Sequence, residues 1–363
     1  MSNIQLYNKG KHTNLILKLC GNSCNINCSY CFEKKKEVEN GLIKFNEINN
    51  LINRLPTTCS IVLHGGEPLL AGTEYIDDLL TLLGKYYPDK INAIRVQTNG
   101  TLIDRTWIEL LFDKHKKLNV EIAISLDGTE IMNGLRLDYN GNNTFNSVIQ
   151  AFNLLADHGI CSGMLSVISK QSLGMAKEYI GLISSIKNLS FVKVNPLFNM
   201  ENGNLSSESL TPNEFVDFVL QITSEYIESG LYKHLAIEPI LSVIQRTRGI
   251  RSRYCNYSCR KCFNYISVYP DGKLGPCDCL SCNDFAIIDD SKDFSDSINI
   301  AANSGKSEIL QRLIDECIDC DINELCLSGC LSQRLYFLDN TALYKEYCQS
   351  KHRLFNAFKK LRV

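Results

Sequence analysis

The sequence predicts an α/β fold: a parallel β-sheet covered by helices over about residues 13 to 200, followed by a smaller cysteine-rich region. Three observations carry this. Short β-rich runs alternate with helical patterns six times before residue 200. The runs are largely apolar, as parallel strands buried between helices require. Beyond residue 250 regular periodicity fades, while cysteine, 17 of 363 residues overall, becomes concentrated.

The strand candidates, in order, are Leu15 to Leu19, Ile61 to Leu63, Ile91 to Val96, Val120 to Ser125, Leu165 to Ile168 and Phe191 to Val194. Between them, Phe45, Ile48, Leu51, Ile52 and Leu55 keep helical spacing, as do Ile76, Leu79, Leu80 and Leu83. An open doubly wound sheet and a barrel or partial barrel both fit, and both place the ligand site at the carboxyl ends of the strands. Asn202 to Ser207 reads as a loop. Thr211, Pro212 and Glu214 then supply an N-cap, a first-turn proline and a capping-box glutamate, and Phe215, Val219, Ile222 and Tyr226 give that helix an apolar stripe. The expected organisation is a barrel over 1–210, a bridging helical segment over 211–250 and a metal-held region over 251–363, stabilised by clusters more than by an apolar core.

Composition excludes several classes. A formal net charge of −2 gives no basic excess for nucleic acid or an anionic membrane. No apolar run approaches the roughly 18 residues of a membrane span, and the first twelve residues lack the apolar stretch of a signal peptide. The expectation is a cytoplasmic protein without nucleic-acid or membrane partners. There, disulfides are rare, so metal is the expected role of the cysteines. Eleven fall between Cys255 and Cys348, and Cys24, Cys28 and Cys31 cluster near the start. Cys20, Cys59 and Cys161 stand apart and read as small core residues.

Cys24-x3-Cys28-x2-Cys31 directly follows the first strand. Three thiolates in eight residues hold three irons of a [4Fe–4S] cube and leave the fourth open for chemistry. A zinc knuckle short of one ligand is the plainer alternative. Chance gives such a triple about 0.04 times in a chain this rich in cysteine. With Tyr30 before the last cysteine, the motif resembles the signature of the radical S-adenosylmethionine superfamily. Gly65-Gly66-Glu67-Pro68 after the second strand resembles that family's GGEP motif, which meets the methionine amino group; two glycines and a carboxylate suit an ammonium. Gln97-Thr98-Asn99-Gly100 ends the third strand and Ser125-Leu126-Asp127-Gly128 the fourth, and Arg136 matches an arginine that approaches the cosubstrate carboxylate. The resemblance covers about residues 13 to 200. It implies a partial (β/α)6 TIM-type barrel in which Gln97, Thr98, Asn99, Ser125 and Asp127 line the S-adenosylmethionine pocket. The implied chemistry is one-electron cleavage of the cosubstrate and hydrogen-atom abstraction from a substrate.

Cys262-x9-Gly272-x4-Cys277, Cys317-x2-Cys320-x5-Cys326-x3-Cys330 and Cys348 together resemble the seven-cysteine SPASM domain, which carries two auxiliary [4Fe–4S] clusters; zinc is the alternative. By that pattern one cluster takes Cys262, Cys277, Cys330 and an upstream cysteine. Cys259 is preferred over Cys255 for this place because Cys259-x2-Cys262 is the tighter chelate. The other cluster takes Cys317, Cys320, Cys326 and Cys348. Cys255, Cys279 and Cys282 remain unassigned. In anaerobic sulfatase-maturing enzymes, which this chain resembles over nearly its full length, an aspartate in the place of Asp278 is proposed to deprotonate the substrate; a turn or cap residue is the alternative. His64 reads as a buried structural histidine, and the other five histidines show no ligand spacing.

The resemblance implies a peptide maturase that oxidatively cross-links a ribosomally made precursor. Sulfatase maturation to formylglycine is the second expectation and peptide epimerisation, with Cys279 or Cys282 as hydrogen donor, the third. Against sulfatase maturation stand His64, where the maturases more often carry glutamine, and Phe32-Glu33 in place of their CFY. The implied partners are a peptide or protein substrate and a flavodoxin or ferredoxin as reductant. Only 23 residues precede Cys24, so either a separate protein binds the leader or other surfaces recognise the substrate.

Overall fold

The structure, a computed structural model, describes residues 4–289 and 293–361; residues 1–3, 362 and 363 of the two outer expected segments lie outside them. Eleven strands are present: β1 (Thr13–Lys18), β2 (Cys59–His64), β3 (Ile91–Thr98), β4 (Glu121–Ser125), β5 (Ser162–Ile168), β6 (Leu189–Pro196), β7 (Met200–Glu201), β8 (Asn204–Leu205), β9 (Ala236–Glu238), β10 (Tyr265–Val268) and β11 (Leu274–Gly275). Nine form one sheet in the order β11-β10-β1-β2-β3-β4-β5-β6-β9, parallel except where β11 folds back on β10. Its two edges, β11 and β9, do not meet. The six central βα units are the partial (β/α)6 barrel expected from the sequence.

Each expected strand is present, because apolar side chains on both faces have helices to bury them. Ile48, Leu51 and Ile52 of the helix Phe45–Arg54 and Ile76, Leu79, Leu80 and Leu83 of the helix Thr73–Gly84 are buried, as their spacing required. Each such side chain contributes about 1.5–3 kcal/mol. The helix Pro212–Glu228 starts where its signals place it: Glu214 N donates to Thr211 Oγ1 at 3.3 Å, and Thr211 N donates to Glu214 Oε2 at 2.8 Å. The loop expected at Asn202 to Ser207 contains instead the small hairpin β7–β8, turned at Asn202 and Gly203 with φ of 51° and 76°. An Asn-Gly pair adopts this conformation at little cost.

The cysteine-rich region joins the barrel directly. Tyr265, Ile266, Ser267 and Val268 of β10 pair in register with Asn14, Leu15, Ile16 and Leu17 of β1. The expectation that clusters replace an apolar core here is corrected. Phe263, Ile266, Phe294, Ile298, Leu310 and Phe355 are fully buried in the same continuous core as the barrel residues. Among the described residues no helix is long and apolar enough to cross a membrane.

Candidate active site at the mouth of the barrel

The loop after β1 carries Cys24, Cys28 and Cys31, and the end of β2 presses against it. Gly66 N donates to Gly21 O at 3.0 Å and Glu67 N to Ser23 O at 2.9 Å. A Cβ on Gly66 would stand 2.0 Å from Ser23 O, so only glycine fits. The carboxylate of Glu67 is fully buried and accepts from Leu69 N (3.0 Å), Thr98 Oγ1 (2.7 Å) and Asn99 N (2.7 Å), so it locks the ends of β2 and β3 together. Pro68 opens the short turn Pro68–Ala71 that follows.

Asn99 faces the cysteines: its Nδ2 lies 3.7 Å from Cys24 Sγ and donates to Asn25 Oδ1 at 2.8 Å. Gln97 and Ser125 are half-buried at the ends of β3 and β4. Burial pushes the Cys28 thiol up to about 11 and also raises Cys24, and the neighbouring Cys31 adds to both. Thiols this close and this reluctant to ionise alone suit a metal group that takes them as thiolates. On the other side of Cys28, Tyr30 Oη donates to Asp127 Oδ2 at 2.6 Å and accepts from Arg136 Nη1 at 2.9 Å. Asp127 Oδ1 accepts from Val167 N at 3.0 Å, so Asp127 is held by its own chain. Arg136 Nε is buried without a hydrogen-bond partner among the described residues. An orphaned guanidinium nitrogen near Cys28 fits the carboxylate of a cosubstrate bound there.

Two further groups of thiols lie in the cysteine-rich region. The β10–β11 hairpin turns at Gly272 (φ 78°) and brings Cys277 N to Cys262 O at 2.9 Å. Cys255, Cys279 and Cys330 act electrostatically on Cys262, and Cys277 hydrogen-bonds to Cys279. Cys255 is half-buried at the start of the short turn Cys255–Tyr257, whereas Cys259, the upstream ligand expected from the shorter chelate, is exposed. Cys282 is buried against Gly275. Cys20 and Cys59 are buried as expected, whereas Cys161, expected in the core, is exposed.

The outer group, Cys317, Cys320, Cys326 and Cys348, lines one pocket of about 320 Å³ with Arg334, Lys351 and His352. Asn323 Oδ1, Ser328 Oγ and Arg334 Nε, from residues lining the same pocket, are buried without hydrogen-bond partners among the described residues. Four thiols with orphaned polar atoms can hold a metal group. Leu327, Ser328 and Gly329 all have left-handed backbones (φ 50°, 63°, 61°), a strained turn between Cys326 and Cys330. His352 Nε2 lies 3.7 Å from Cys320 Sγ. Its spacing from Cys348, one helical turn, was the signal that the sequence reading missed.

Between the inner group and the barrel lies a buried charge network. Lys18 Nζ meets Glu33 Oε1, His64 Nδ1 (3.1 Å) and Asp278 Oδ2 (3.4 Å). Lys36 Nζ donates to Glu33 Oε1 (2.8 Å) and Asp278 O (2.7 Å). Burial alone would raise the carboxyl of Asp278, but the cations Lys18, Lys36 and Lys193 together hold it well below the usual carboxylate range. Burial, and then Lys18, push His64 down to about 4, so it is neutral. Its Nδ1 accepts from Lys18 and from Gly65 N (2.8 Å), which leaves the ring proton on Nε2, 3.7 Å from Asp278 Oδ2. Lys18, Lys36 and Lys193 were not anticipated, although a lysine inside the apolar strand LILKL is itself a signal.

A thiol-bearing loop at the first strand end of a partial barrel, with an orphaned arginine beside it, defines a class. Residues 19–183, most of the barrel, match the family model of the Radical SAM superfamily, a match that implies S-adenosylmethionine and a [4Fe–4S] cluster at this site. The chain is 24% identical, over 94% of its length and 93% of the relative's, to a cysteine-type anaerobic sulfatase-maturating enzyme of Clostridium novyi. Its fold matches native anSMEcpe with bound AdoMet and Cp18Cys peptide at a TM-score of 0.77, with 24% identity and 96% of each chain covered. It also matches Streptococcus suis SuiB bound to the precursor peptide SuiA at a TM-score of 0.59, with 18% identity over 89% of this chain and 72% of that one.

Proposed function

We propose that this enzyme oxidises a side chain of a peptide or protein substrate by two electrons, with conversion of cysteine or serine to formylglycine as the first reading. One observation carries it: Asp278 is a half-buried carboxylate, held ionised by neighbouring lysines and placed between the inner thiol group and the barrel mouth. Likeness to a sulfatase-maturating enzyme over 94% of the chain supports the same reading, and two peptide-bound structures of like fold support a polypeptide substrate.

S-adenosylmethionine, with the cluster held by Cys24, Cys28 and Cys31, supplies the carbon radical that removes a hydrogen atom from the substrate. Arg136 Nε would donate to the cosubstrate carboxylate, and Tyr30, itself bonded to Asp127, holds that guanidinium in place. Asn99, Gln97 and Ser125 line the pocket, and Glu67 braces it from behind. Asp278 accepts the proton that the oxidised substrate releases; Lys18 and His64 fix the direction of its carboxylate. Cys255, Cys262, Cys277 and Cys330 would hold an inner auxiliary iron–sulfur site, and Cys317, Cys320, Cys326 and Cys348 an outer one; these would supply acceptors for the second electron. A flavodoxin or ferredoxin is the reductant for the first.

Oxidative cross-linking of a ribosomally made peptide is the second reading. The mouth favours it, because Glu33 and His64, which depart from the maturase pattern, tie it into a lysine–carboxylate network. The test is anaerobic incubation with a peptide containing a sulfatase's active-site cysteine and, separately, with short peptides encoded beside this gene, using Cys24→Ala as control. A Cys24-dependent aldehyde on the first supports formylglycine formation. Loss of two hydrogens without an aldehyde on the second supports cross-linking, and no Cys24-dependent change in either counts against both. Asp278→Asn is expected to cleave the cosubstrate and form little product; equal product removes its role as base.

A further inference from the structure

Two buried lysines stand between the inner and outer thiol groups. Lys261 Nζ donates to the carbonyls of Cys255 (3.1 Å), Asn256 (3.2 Å) and Gly329 (2.8 Å), and the side chain is closed off from water. Cys255 belongs to the inner group, while Gly329 lies between Cys326 of the outer group and Cys330 of the inner one. Lys351 is likewise buried; its ammonium lies over the rings of Tyr347 (4.7 Å) and Tyr257 (5.8 Å), and it lines the outer pocket beside Cys326 and Cys348. Tyr347 in turn accepts from Cys330 N at 2.7 Å, so Lys351 also touches the wall shared by both groups. Among the described residues neither lysine forms an ion pair with a carboxylate.

A buried ammonium without a counter-charge is costly, and neutral thiols do not compensate it. Thiolates bound to iron do. A fixed cation in a dry interior then has a further effect: it favours whichever redox state carries the extra negative charge. We propose that Lys261 and Lys351 are positioning residues that raise the reduction potential of the two auxiliary iron–sulfur sites, with Lys261 acting on both, so that the pair is poised to take the electron the substrate gives up. In that step the substrate carbon radical loses one electron to the pair and one proton to the Asp278 carboxylate; the pair gains one negative charge beside Lys261. The inference rests on the reading that both pockets hold iron–sulfur groups.

The test uses the full-length, anaerobically reconstituted protein: wild type, Lys261→Met, Lys261→Arg and Lys351→Met. Iron and sulfide content is measured first, then the midpoints of all sites by redox titration followed by electron paramagnetic resonance. The expected result is full iron content in Lys261→Met with roughly a tenfold lower reduced-to-oxidised ratio at the auxiliary sites at fixed potential, about 59 mV for a one-electron couple. Lys261→Arg should restore the wild-type midpoints, and the site at Cys24, Cys28 and Cys31 should not move. Unchanged auxiliary midpoints in a fully loaded Lys261→Met protein overturn the proposal. Should that variant lose iron, Lys351→Met decides in the same way: a lowered midpoint supports the proposal and an unchanged one overturns it. Wild-type protein with iron at the barrel mouth alone would instead overturn the assignment of the pockets, and the proposal with it.

Discussion

Lys18 in the first strand and Asp278 in the cysteine-rich region, 260 positions apart, meet with Nζ 3.4 Å from Oδ2. This contact, with β10 pairing to β1, makes the barrel mouth a joint product of both parts of the chain. Lys18 is fully buried and also holds Glu33 and His64.

Lys18→Met should therefore leave Asp278 without its nearest cation. Removing one partner of a buried ion pair typically costs about 3–5 kcal/mol; Lys36 still serves Glu33, so the lower end is expected, read as a drop in Tm. Cosubstrate cleavage should persist while substrate oxidation falls. Unchanged oxidation would remove Lys18 from the orientation of the base.

Gly66→Ala places a methyl 2.0 Å from Ser23 O, where the cysteine loop must give way. Iron bound at the barrel mouth should be lost while auxiliary iron remains, read by iron analysis and electron paramagnetic resonance. Gly181→Ala is the control. Nothing lies within 4 Å of that position, which sits in the helix Ala176–Ser185, so stability should be unchanged or higher by up to about 1 kcal/mol.

Cys255→Ser should empty the inner auxiliary site, whereas Cys259→Ser should keep full iron content. Loss of iron from Cys259→Ser, with Cys255→Ser intact, would reverse the assignment.

Much of this was legible in the sequence, for physical reasons. Six apolar runs with helical patterns between them admit few folds, and each reading of a strand survived because both faces of these strands are covered. Thr211, Pro212 and Glu214 make a local capping structure, which needs no tertiary information. Local spacing does not encode tertiary contacts. Which of Cys255 and Cys259 faces the inner thiols depends on the direction of a short turn. Glu67 also braces β2 against β3, because its partners Thr98 and Asn99 arrive from another strand. The network of Lys18, Glu33, Lys36 and Asp278 is assembled only when β10 joins the sheet.

His64 gives a pH signature. Its folded value of about 4 lies below the ordinary 6.5, so between these values the unfolded chain binds the proton the folded one refuses. Stability is therefore full above about pH 6.5 and falls as pH drops toward 4, by an amount on the order of 3 kcal/mol. Denaturant titrations from pH 7 to 4.5 should show this fall diminished in His64→Gln. An equal fall in both proteins would place the cause elsewhere.

The central claim is that the loop of Cys24, Cys28 and Cys31 makes this barrel a radical enzyme independent of the auxiliary sites. The most direct measurement is S-adenosylmethionine cleavage by the anaerobically reduced protein and its Cys28→Ala variant, with iron counted in both. The account predicts methionine and 5′-deoxyadenosine from the wild type, none from Cys28→Ala, and auxiliary iron retained in the variant. No cleavage by fully loaded, reduced wild-type protein, or undiminished cleavage by Cys28→Ala, would contradict it.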